Sequence, residues 1–128
     1  MKRILILSTF LLAAPFLRPA ELLAQGWVSQ SSGTTNLLSS VSFTDANTGT
    51  AVGDGGTILH TTDGGTTWVS QTSGTTYGLK AVSFTDANTG TATGWSGIIL
   101  HTTDGGTTWV SQTSGNTYYI EGDRKSVV

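Results

Sequence analysis

The chain has 128 residues, no cysteine, and six basic against eight acidic side chains, for a formal net charge of −2. That length holds one domain at most. It excludes a disulfide framework and thiolate metal sites, and it offers no basic stripe with which to grip nucleic acid.

Residues 1–25 are expected to be a secretory signal peptide. Lys2 and Arg3 form a positive head, Ile4 to Leu17 is apolar, and small residues stand at Ala20 and Ala24. The apolar run falls short of the about 20 residues a spanning helix needs, so no stable membrane span is expected. Cleavage after Ala24 or Gln25 would leave three basic and seven acidic residues, a mature net charge of −4. The expected location is secreted, periplasmic or at the cell surface.

From residue 26 to 122 the chain repeats itself. Trp27, Trp68 and Trp109 stand 41 residues apart, and aligning 27–67 with 68–108 needs no gap and gives 32 identities in 41. The high use of Thr and Gly suits pleated strands and tight turns. Each unit reads as four short strands. In the first unit these are Leu38–Thr44, Thr50–Gly53, Thr57–Thr61 and Thr66–Gln71, separated by turns at Asp45–Gly49, Gly55-Gly56 and Asp63–Gly65. Four antiparallel strands per unit of this length predict an all-β fold. It is a partial β-propeller of two four-stranded blades, with a flanking strand from Trp27.

The third-to-fourth strand hairpin carries Thr61, Asp63, Gly65, Thr67 and Trp68, repeated as Thr102, Asp104, Gly106, Thr108 and Trp109. This phrase resembles the Asp-box, or bacterial neuraminidase repeat. With the surrounding W-V-S-Q-x-S-G-T-T, L-x-x-V-S-F-T-D and G-x-I-L-H-T-T-D-G-G-T-T-W text, residues 26–120 resemble the photosystem II stability/assembly factor family. The resemblance implies a multi-bladed, non-catalytic propeller acting as a binding or assembly scaffold. One departure is Thr50 and Thr91, where several members place an aromatic. The Asp-box residues read as structural: an Asp followed by two glycines folds its carboxylate onto turn amides.

Other chemistries fare poorly. A sialidase-like glycoside hydrolase, the alternative reading, needs an arginine cluster and a Tyr/Glu pair; after residue 25 the chain has only Arg124 and Glu121. A generic glycosidase needs two opposed carboxyls, whereas Asp45, Asp54, Asp63, Asp86 and Asp104 all sit in turns. Asp45-Ala-Asn47 and Asp86-Ala-Asn88 have the oxygen spacing of a calcium loop but lack its closing Glu. His60 and His101 recur once per unit and read as packing residues. No catalytic, cofactor or metal residues are therefore expected, and no enzyme activity.

Positions that differ between the two units are more informative about binding. Asn36/Tyr77, Ser39/Lys80 and Asp54/Trp95 change in side chains that make contacts, and repeat scaffolds vary one surface on a held framework. Tyr77, Lys80 and Trp95 are candidates for a surface that meets a protein or glycan partner.

A closed propeller has about four to eight blades, so a fragment is expected, prone to self-association through exposed blades. Tyr118-Tyr119-Ile120 opens a further unit, which residues 123–128 (DRKSVV) then break. That tail looks non-native, because a common sequencing-library adapter can encode it.

Overall fold

A computed structural model of the chain describes residues 3–7 and 27–115. Its strands are β1 (Arg3–Leu7), β2 (Trp27–Ser31), β3 (Leu38–Phe43), β4 (Gly49–Gly53), β5 (Thr57–Thr61), β6 (Val69–Gln71), β7 (Leu79–Phe84), β8 (Gly90–Gly94), β9 (Ile99–Thr102) and β10 (Val110–Gln112). No α-helix occurs among the described residues; two 3-10 turns, Asp54–Gly56 and Trp95–Gly97, link the second and third strands of each unit. The expected signal-peptide cleavage point, the Tyr118–Ile120 start of a further unit and the 123–128 tail lie outside the described residues.

The strands form two antiparallel four-stranded sheets, β3-β4-β5-β6 and β7-β8-β9-β10, and a two-stranded sheet β1-β2. This is the expected partial propeller with its flanking strand. Each inner strand carries a register irregularity, between Leu38 and Ser40 in the first blade and between Leu79 and Ala81 in the second. The fourth strands are shorter than expected. Thr66 and Thr67 are drawn into the preceding turn by hydrogen bonds to the Asp63 carbonyl and carboxylate, so ladder pairing begins only at Val69.

The core lies between the blades. Val52 and Ile58 of the first blade pack with Leu79, Val82, Ala92 and Leu100 of the second, and Phe84, Ile98 and Trp109 close over them. Burial of each large aliphatic side chain contributes about 1.5–3 kcal/mol, which makes the interface the main source of cohesion. Backbone-to-side-chain hydrogen bonds reinforce it at the inner strands, where Val82 N–H donates to Ser40 Oγ and Phe84 N–H to Ser42 Oγ, both at 3.2 Å.

Within each blade an aromatic pair fills one end. Phe43 meets Trp68 edge to face at 6.1 Å, and Phe84 meets Trp109 at 6.0 Å. The phenyl rings lie so close to Gly49 and Gly90 that a Cβ at either position would collide with them. The indole nitrogens of Trp68 and Trp109 are buried without a hydrogen-bond partner.

Candidate functional site

The two ends of the blades differ in chemistry. At one end sit the repeated acidic turns. Thr61 Oγ1 donates to Asp63 Oδ1 at 2.8 Å and accepts the Gly65 N–H at 2.9 Å. Thr67 donates its N–H to Asp63 Oδ1 at 2.8 Å and its hydroxyl to Oδ2 at 2.6 Å. Thr102, Asp104, Gly106 and Thr108 repeat this geometry. Gly64 N–H reaches Asn47 O, and Gly105 N–H reaches Asn88 O, tying each turn to the neighbouring Asp45 or Asp86 turn.

These carboxylates are occupied in holding the turns. The Thr67 hydroxyl, then its N–H, hold the Asp63 carboxyl below its ordinary range, and Thr108 draws Asp104 down to about 2. Asp45 Oδ1 accepts the N–H groups of Asn47 and Thr48, both at 2.7 Å, and its pKa is lowered by them. Asp86 does the same with Asn88 and Thr89. His60 Nδ1 pairs with Thr50 Oγ1 at 3.1 Å, and burial lowers the pKa of its ring. Among the described residues no three His, Cys, Asp or Glu side chains gather as a metal site would require.

The opposite end carries the differences between the units, and they are linked. In the first blade Asn36 Nδ2 donates to Asp54 O (3.3 Å) and Thr57 Oγ1 (2.8 Å), while Thr57 Oγ1 donates to Asp54 O (2.7 Å). In the second blade those three positions are Tyr77, Trp95 and Ile98, so a hydrogen-bonded polar trio becomes an aromatic and aliphatic one. Leu37 becomes Gly78, where a Cβ would stand 3.1 Å from Trp95 Cδ1. A side chain there would press on the indole and on Asp54 Oδ1, which a Cβ would meet at 3.2 Å.

Lys80 sits at the register irregularity of β7, a position that re-aims a side chain. Its Nζ lies 3.2 Å from Asp54 Oδ1 of the preceding blade and 5.3 Å from the centre of the Trp95 ring. The site is therefore built at the junction of two blades. Tyr77, 53% exposed, lines an open groove of about 520 Å³ with Gly55, Gly56 and the Thr72–Thr76 segment; Trp95 is 44% exposed. Next to Trp95, Ser96 takes φ 57°, the one non-glycine positive φ among the described residues.

Of the sequence candidates, the structure brings Lys80 and Trp95 into contact and sets Tyr77 on the adjoining groove. Sequence reasoning missed Asp54 as the partner of Lys80, the space at Gly78 and the strain at Ser96. The signal for them was present in the simultaneous change at 36/77, 37/78, 39/80, 54/95, 55/96 and 57/98.

Residues 20–118 match the family described as Photosynthesis system II assembly factor YCF48. Solved structures with the same fold include one described as YCF48 bound to D1 peptide. It is 38% identical with a TM-score of 0.56, over 61% of this chain and 26% of that one. Another is YCF48 from Cyanidioschyzon merolae, 31% identical with a TM-score of 0.54, over 61% and 24%. The chain thus spans about a quarter of the length of these structures. No curated protein matches it.

Proposed function

The chain belongs to the YCF48 photosystem II assembly factor family, and from that premise we propose that it is a non-catalytic propeller segment that binds an extended polypeptide during assembly of a photosynthetic complex. The observation that carries this reading is the patch of Tyr77, Trp95 and Lys80 at the blade junction. Exposed tyrosine and tryptophan beside a groove are the residues that dominate protein recognition, and here they replace a self-satisfied polar trio. The carboxylates of Asp45, Asp63, Asp86 and Asp104 are spent on turns, and that of Asp54 on Lys80. Export by residues 1–25 accords with this role.

The D1 peptide found with the 38% identical relative is the natural probe. Titration of a synthetic D1 peptide, followed by tryptophan fluorescence, should give a saturable signal that Trp95→Ala and Tyr77→Ala weaken at least tenfold without changing the far-UV spectrum. Absence of binding, or binding indifferent to both substitutions, would overturn the proposal.

A second reading, self-association, is favoured by one observation. Val41 is 46% exposed, whereas its counterpart Val82 is 8% exposed under a neighbouring blade. Sedimentation velocity separates the two readings: a monomer at micromolar concentration removes self-association and leaves peptide binding intact.

A further inference from the structure

β1 pairs with β2 antiparallel, with Ile4 opposite Gln30, Leu5 opposite Ser29 and Ile6 opposite Val28. In the first blade Ile58 stands opposite Gln71, Leu59 opposite Ser70 and His60 opposite Val69. In the second, Ile99, Leu100 and His101 face Gln112, Ser111 and Val110. The three registers coincide residue for residue, and all three inner partners read Ile-Leu at the same place.

We infer that Arg3–Leu7 serves in cis as the third strand of the blade whose outer strand is β2, and that this edge selects an extended segment with Ile-Leu in that register. Burial across the first blade agrees. Ala51 and Leu59, on its two central strands β4 and β5, are as buried as Ala92 and Leu100, while on the inner strand Val41 is open. That is the pattern expected beside a sheet whose described residues supply only two strands, β1 and β2. Gln30 Nε2 donates to Gly64 O at 3.2 Å, anchoring β2 against the first blade. In the uncleaved chain the segment satisfies an edge that would otherwise pair with other chains; removal of residues 1–25 bares it.

The native chain has no cysteine, so paired cysteines report register without background. In the full chain, Ile6→Cys with Val28→Cys should form an intramolecular disulfide under mild oxidation at least tenfold faster than Ile6→Cys with Gln30→Cys. The latter pair is displaced diagonally across the ladder, about 7–8 Å apart. Equal rates, or no bond in either, would overturn the inference. Amide exchange is an independent check. Successive N–H groups of a strand point to opposite edges, so one of Ile4→Pro and Leu5→Pro must delete a ladder bond to β2. That variant should lose protection within 27–31 while 79–112 keeps it. Unchanged exchange at 27–31 in both proline variants contradicts the assigned pairing.

Discussion

Lys80 Nζ lies 3.2 Å from Asp54 Oδ1 across the boundary between the two blades, and the same ammonium stands 5.3 Å from the centre of the Trp95 ring. One cation thus ties together a carboxylate from the first blade and an indole from the second. All three occupy positions at which the two units differ. The contact belongs to variation layered on the framework, since the framework positions are identical in both.

Because both charges are substantially exposed to solvent, the pair contributes little to folding. Lys80→Met should lower stability by less than about 2 kcal/mol, combining an exposed ion pair of about 0.2–1 kcal/mol with a cation–π contact of about 0.5–1 kcal/mol. Urea unfolding checks this, and Asp54→Asn should cost still less. A loss above about 3 kcal/mol would show that Lys80 clamps the blades together.

The repeated turns should behave in the opposite way. Thr61 is buried and its hydroxyl both donates to Asp63 and accepts the Gly65 N–H. Thr61→Val keeps the shape but leaves a buried N–H unsatisfied, at a cost of about 1–3 kcal/mol. Thr102→Val should match it, because its bonds are the same. Thr67→Val, at an exposed position, should cost less than either. Equal losses at positions 61 and 67 would mean that the buried amide is satisfied some other way.

Much of this architecture was legible in the text. The 41-residue spacing of tryptophans, the alternation through Val41 and Phe43 and the Asp-Gly-Gly turns led to four strands per unit in the observed order. What escaped was the third dimension at the varied end. Asp54 and Lys80 are 26 positions apart and in different blades, so no local pattern joins them. Nothing local marked Gly78, where a side chain would press on both Trp95 and Asp54. The β1 strand escaped for another reason: its apolar run satisfies the pattern of an export signal, and only pairing with β2 shows it in a blade register.

The pH dependence of stability follows from the acids of the repeated turns. The carboxyls of Asp45, Asp63, Asp86 and Asp104 are held below their ordinary 3.8, Asp104 down to about 2. Unfolded, they take up protons first as pH falls, so the unfolded state binds more protons and stability drops. Their contribution is complete above the unfolded value and is lost between about pH 4 and pH 2. His60 adds an earlier, smaller decline starting near 6.5, because burial disfavours its charged form in the fold. Thermal midpoints should therefore be level above pH 7, dip slightly towards pH 5 and fall steeply below 4. Asp104→Asn should flatten the acid limb. A midpoint that rises on acidification contradicts the assignment.

Ser96 offers the sharpest separation of stability from binding. It adopts φ 57° and ψ 27°, where the equivalent residue of the first blade is Gly55 at φ 68° and ψ 18°. A side chain in the left-handed region costs about 1–2 kcal/mol. Returning to glycine removes that strain but restores about 0.4–1 kcal/mol of unfolded-state freedom. Ser96→Gly should therefore stabilise by between nothing and about 1.6 kcal/mol in urea unfolding. The strain sits beside Trp95, at the end where the aromatic patch has replaced the polar trio. If it is kept for recognition, the same variant should bind the D1 peptide more weakly while unfolding later. Greater stability with unchanged affinity would reduce Ser96 to drift at an exposed turn. Lower stability would show that its hydroxyl contributes more than its backbone costs.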